Sequence, residues 1–90
     1  MHYILFYTTA EDYMVRRGQF RQQHLEMASE AVTKGEIIMG GALADPPDQA
    51  IIIFKGDSPE IAENFAKKDP YVLNGVVTKW EVRPWNVAIG

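Results

Sequence analysis

Hydrophobic and polar positions follow two rhythms along the chain. Residues 3 to 8, YILFYT, are rich in aromatic and β-branched types and predict a strand that ends near Thr8 and Thr9, apolar on both faces. A helical period follows, starting between Asp12 and Arg16 and stopping at Lys34 and Gly35, where a basic residue and then a glycine form a C-terminal cap. Strand character returns in residues 36 to 43, EIIMGGAL, with Gly40 and Gly41 marking a bulge or a close backbone approach. ADPPDQ turns the chain back into AIIIF, a third strand. KGDSPEIAENFAKK opens a second helix, with Ser58 as N-cap and Pro59 at its first position, and Pro70 closes it. DPYVLNG predicts one helical turn, entered through Asp69 and Pro70 and left through Asn74 and Gly75. In the last strand, residues 76 to 84, Val76, Thr78, Trp80 and Val82 face one way, and Val77, Lys79, Glu81 and Arg83 the other.

The order β-α-β-β-α-β is that of an α+β, ferredoxin-like sandwich, with two helices covering one face of a four-stranded antiparallel sheet. That leaves the second face bare. Tyr3, Leu5 and Tyr7 alternate with Ile4 and Phe6, and Ile51 and Ile53 with Ile52 and Phe54, so two strands are apolar on both sides. The same face of a second copy is the simplest cover for an apolar patch on the order of several hundred Å². A face-to-face homodimer is the expectation, with further assembly through residues 85 to 90 left open.

Length and composition narrow the function. Ninety residues, 47% hydrophobic and 23% charged, describe one domain spanning residues 1–90. A formal charge of −3 opposes a phosphate-backbone binder, so nucleic acid is not an expected partner. No apolar run approaches the roughly 20 residues that cross a bilayer, and the N-terminus lacks a basic segment ahead of its apolar residues, so a cytoplasmic chain without a membrane partner is expected. The absence of cysteine removes disulfides, thiolate metal sites and cysteine nucleophiles.

One polar residue interrupts the apolar stripe of the first helix. At about 100° per residue, Phe20, His24, Met27, Ala28 and Ala31 share a stripe, with Leu25 and Val32 at its edge and Gln19, Gln22, Gln23, Glu26 and Glu30 on the solvated side. Arg17 and Arg21 fall on or beside that stripe and can give a cavity facing His24 a cationic mouth. An imidazole turned inward needs an acceptor or water. Asp69, following Ile61, Ala62, Phe65 and Ala66 on the inward side of the second helix, is the candidate acceptor. A carboxylate on one ring nitrogen fixes the tautomer and leaves the other nitrogen for proton transfer.

Simpler readings compete. A lone histidine on an apolar stripe is more often a packed core residue than a catalyst, and aspartate before Pro70 is the expected N-cap of the turn that follows. Arg17 and Arg21 are by default solvated. Tyr3, Tyr7, Tyr71, Trp80 and Trp85 are by default core or interface packing, although hydroxyls of Tyr7 or Tyr71 and the Gly41 backbone can stabilise negative charge on a substrate oxygen. His2 reads as frayed surface.

The combination is more specific than its parts. A short first strand, an arginine-bearing helix carrying His24-Leu25, Gly40-Gly41 closing the second strand, Asp69-Pro70-Tyr71 after the second helix, and the late Arg83-Pro84-Trp85 together resemble the YciI-like (YCII) family across nearly the whole chain. The resemblance implies the dimeric α+β barrel architecture. It also implies an enzyme whose paired histidine and aspartate face a pocket between helices and sheet, at positions matching His24 and Asp69. One relative in that family is a dehydrochlorinase of a chlorinated hydroxyquinol, and the wider superfamily includes muconolactone isomerases and metal-independent monooxygenases.

The sequence thus leads to a small-molecule enzyme with His24 and Asp69 as catalytic pair and Tyr7, Arg17, Arg21, Gly41 and Tyr71 around the substrate. Elimination, isomerisation or hydrolysis of a cyclic or aromatic compound is the expected chemistry. The alternative is a non-catalytic dimer that binds a small molecule or serves as an accessory subunit. Neither requires a metal or organic cofactor, since no metal-ligand spacing, phosphate loop or dinucleotide fingerprint occurs.

Overall fold

The structure, a computed structural model, describes residues 1–90. Its elements run β1 (His2–Thr9), α1 (Tyr13–Thr33), β2 (Ile37–Ala42), β3 (Gln49–Lys55), α2 (Glu60–Lys68), α3 (Pro70–Leu73) and β4 (Val77–Trp85). All pairings are antiparallel in the order β2-β3-β1-β4, so the strand richest in large apolar residues lies inside the sheet. This is the ferredoxin-like α+β arrangement that the sequence predicts.

Cross-strand partners share a face. Tyr3, Leu5 and Tyr7 therefore point the same way as their β3 partners Phe54, Ile52 and Ala50, toward the helices. There they form the core with Ala62, Phe65 and Ala66 of α2 and Tyr71 of α3. Ile4, Phe6, Ile51 and Ile53 occupy the opposite face, where no helix lies, and are only half-buried.

Helix ends follow local chemistry. Gly35, at φ 77°, terminates α1 while its N–H reaches Val32 O and that of Glu36 reaches Ala31 O, a pair of bonds that needs a left-handed residue between them. Ser58 Oγ accepts the Glu60 N–H at 3.3 Å, and Pro59 already has helical angles, so the expected cap holds within the usual boundary of one residue.

Three local expectations are corrected. The strand irregularity falls between Ile37 and Met39 rather than at Gly40-Gly41. The other reading of that pair, a close approach, holds at Gly40, because a Cβ there would stand 3.2 Å from Ile52 Cγ1. In β4 the pairing skips Thr78, so Thr9 meets Val77 while Thr8 meets Lys79. That bulge turns Val77 from the wet face expected by strict alternation to the buried, helix-covered face. His2 is not frayed, since it pairs with both Lys55 and Trp85.

Candidate functional site

Asp69 sits at the junction of α2 and α3 with no solvent exposure. Extended backbone (ψ 124°) breaks α2 there, as Pro70 demands of its predecessor, and the side chain folds back to cap α3. Oδ1 accepts the Tyr71 N–H at 3.0 Å, Oδ2 accepts the Tyr7 hydroxyl at 2.7 Å, and both oxygens lie 2.9 Å from His24 Nδ1. The cap and the histidine partner, posed by the sequence as rival explanations, are one side chain doing both.

These contacts fix protons. Donors already occupy both carboxylate oxygens, and an ionised carboxylate only accepts, so Nδ1 carries the hydrogen between His24 and Asp69. Nε2 is left with no protein partner, on a ring that lines the adjacent cavity. The imidazole is clamped in place, stacked on the Tyr71 ring with centroids 4.0 Å apart at 8°, and met edge-on by Phe65 at 6.4 Å. Burial first, then the Asp69 charge and the hydrogen bond to it, push the Tyr7 pKa up, so Tyr7 remains a protonated donor.

The cavity measures about 510 Å³ and opens between α1 and the β2 side of the sheet. His24, Tyr7, Arg17, Arg21, Gly41 and Tyr71 all line it, whereas Asp69 lies behind His24 and does not. Two expected roles change. The Tyr7 hydroxyl is turned onto Asp69, so only its ring faces the cavity. The Leu43 N–H on Gln49 O sets the ladder phase that pairs Gly41 with Ile51, which engages the Gly41 backbone in the sheet and directs the polar groups of Gly40 and Ala42 to the edge.

Sequence reasoning missed Tyr13. It is buried, meets the Tyr71 ring edge-on at 6.1 Å, and carries the Arg17 guanidinium 5.4 Å above its ring. The signal was present, because Tyr13, Arg17, Phe20 and His24 recur at helical spacing and extend the stripe by two turns. Val77 also lines the cavity, placed there by the β4 bulge. No three His, Asp or Glu side chains converge as metal ligands, and no helix is long and apolar enough to cross a membrane.

A family model, the YCII-related domain, matches residues 1–86. The chain belongs to the YCII-related family. No curated protein sequence matches it. Among solved structures it is similar to the 5-chloro-2-hydroxyhydroquinone dehydrochlorinase TftG of Burkholderia phenoliruptrix AC1100, in complex with 2,5-dihydroxybenzoquinone. That likeness has 18% identity and a TM-score of 0.77, covering 96% of this chain and 94% of the other. Protein Atu4242 of Agrobacterium tumefaciens is similar at 15% identity and TM-score 0.57, with 92% and 89% covered. A NIPSNAP family protein from the same species has 13% identity and TM-score 0.55, with 91% and 87% covered. At such identities the likeness establishes a shared fold.

Proposed function

We propose that the protein is a small-molecule enzyme in which His24 Nε2 acts as a general base, oriented by Asp69, on a cyclic or aromatic substrate held in the cavity. One observation carries this reading: the Nδ1 contact to a fully buried carboxylate at 2.9 Å on an imidazole whose other nitrogen is unpartnered beside a cavity of about 510 Å³. A histidine placed only for packing would be satisfied by the acceptor on Nδ1; the second ring nitrogen left open beside the cavity is what proton transfer adds. In an elimination, Nε2 takes a proton from the ring system while the leaving group departs with its bonding pair. In an isomerisation the proton returns at another atom, and in a hydrolysis it comes from water. Proton movement of this kind needs no metal or organic cofactor.

The family membership and the dehydrochlorinase activity of the structurally similar TftG support small-ring chemistry, and elimination heads the three options. The half-buried Ile4, Phe6, Ile51 and Ile53 support a homodimer through the helix-free face, giving a dimeric α+β barrel.

The test is turnover of a panel of halogenated hydroquinones, lactones and aryl esters by wild type, His24→Gln and Asp69→Asn. A panel compound turned over by the wild type and slowed at least about a hundredfold in His24→Gln, with the fold intact, is the expected result. Turnover that survives His24→Gln sinks the general-base role. No turnover at all, with panel members bound, favours the accessory or binding protein.

A further inference from the structure

The chain carries a formal charge of −3, yet no Asp, Glu or Lys lines the cavity. Its only permanent charges are Arg17 and Arg21. Neither forms an ion pair, in contrast to Arg16, which reaches Asp12 at 3.7 Å and donates to the carbonyls of Asn74 and Gly75 at 2.6 and 3.2 Å. One arginine of this run therefore ties α1 to the end of α3, and two remain uncompensated over an apolar hollow.

A second, independent feature points to the same place. The Tyr71 residue is 3% exposed and its hydroxyl is the one buried side-chain polar atom without a hydrogen-bond partner. A buried, orphaned hydroxyl costs roughly 1–3 kcal/mol unless something receives it. Burial, then the neighbouring Tyr13, raise its pKa while the charges of Arg21 and Arg17 oppose the rise; Arg21 acts from close by without the alignment of a hydrogen bond. Leu25, Ala28, Ile37, Ile52 and Val77 supply apolar walls that suit a hydrocarbon ring and reject a ligand polar throughout.

We propose that the cavity binds a planar organic anion, an aromatic or enolic ring bearing an ionised oxygen, which accepts from the Tyr71 hydroxyl and is held by Arg21, with Arg17 completing the positive wall. This deepens the general-base reading, resting on it for the reaction but not for binding. The stacking of Tyr71 on His24 places the oxyanion site and Nε2 on adjacent rings, so a ligand fixed by its oxygen presents a neighbouring position of its ring to the base. The same donors would hold negative charge that grows on that oxygen when the proton leaves.

The test uses matched ligands on the full chain, benzoate against benzamide and 4-nitrophenolate against 4-nitroanisole, titrated by NMR at a pH where the phenol is ionised. Wild type is expected to prefer each anion over its neutral partner by about tenfold or more. Arg21→Gln should remove most of that preference while leaving the neutral ligands within about twofold, and Arg21→Lys should recover part of it. Tyr71→Phe, which removes an atom that bonds nothing in the unliganded protein, should weaken the anions about threefold to tenfold without lowering the denaturation midpoint. Equal binding of anion and neutral partner, binding of neither, or an anion preference untouched in Arg21→Gln each overturns the proposal. His24→Gln separates the two readings: it should keep the anion preference, so loss of the catalytic reading alone appears as retained discrimination with turnover unaffected by the substitution.

Discussion

Asp69→Asn probes the network at its centre while keeping its shape. In the native protein one carboxylate serves three donors, Tyr7 O–H, Tyr71 N–H and His24 Nδ1–H, at 2.7, 3.0 and 2.9 Å. Asparagine remains a good N-cap, so its oxygen keeps the Tyr71 N–H. Its amide nitrogen then faces the remaining partners as a donor. The Tyr7 hydroxyl can rotate to accept from it, and His24 satisfies it only by turning Nδ1 into an acceptor, which moves the ring hydrogen to Nε2. No buried atom is orphaned, but three charge-assisted bonds become neutral ones. At roughly 0.5–1 kcal/mol each, half the difference between the two classes or more, the loss is about 1.5–3 kcal/mol. For a domain of this size that lowers Tm by roughly 6–24 °C. The larger effect is chemical, because the cavity side of His24 becomes an N–H donor and can no longer accept the proton that the proposed general-base role requires. Nitrogen-15 spectra of the imidazole, assigned with the help of His2→Gln, read this directly. The wild type should show the Nδ1–H form and the variant the Nε2–H form. An Nε2–H ring in the wild type, or spectra unchanged by Asp69→Asn, would refute the reasoning whatever happens to stability.

Other consequences are open to simpler measurements. The raised pKa of Tyr7 means that the folded state keeps its proton when the unfolded chain has lost it, so stability should be full below about pH 10 and fall above it, by up to about 1.4 kcal/mol per pH unit. Tyr7→Phe should cost roughly 1–3 kcal/mol at neutral pH and reduce that alkaline slope to the part Tyr71 contributes, as read from denaturant midpoints between pH 8 and 11; an unchanged slope would count against the Tyr7–Asp69 bond. Gly40→Ala forces a Cβ to 3.2 Å from Ile52 Cγ1 and 3.3 Å from Ile51 O, whereas Gly41→Ala meets nothing within 4 Å. The first should lose about 1 kcal/mol or more and the second should be neutral, and equal midpoints would contradict the placement of β2. Ile53→Asp, on the helix-free face, should convert a dimer to monomers in light scattering, and a wild type that is already monomeric would remove that assembly.

Element order, helix caps and the inward histidine were all legible in the chain, because each is written in local periods: two along YILFYTT and AIIIF, about 3.6 along the helix that carries His24, and a glycine where a left-handed residue must end it. Asp69 was legible only in part. Its position before Pro70 predicted a cap, and its inward direction suggested the histidine, but nothing in a linear pattern says that one carboxylate has two oxygens enough for cap, tyrosine and imidazole together. Pairing across the sheet decided what the sequence left undetermined. The bulge at Thr78 turned Val77 inward, the ladder phase engaged the Gly41 backbone, and contact with Asp69 took the Tyr7 hydroxyl away from the cavity. The physical reason is range: caps and periodicity depend on neighbours within a turn or two, whereas register, cavity shape and the partner of a buried donor depend on atoms that approach only when distant segments pack.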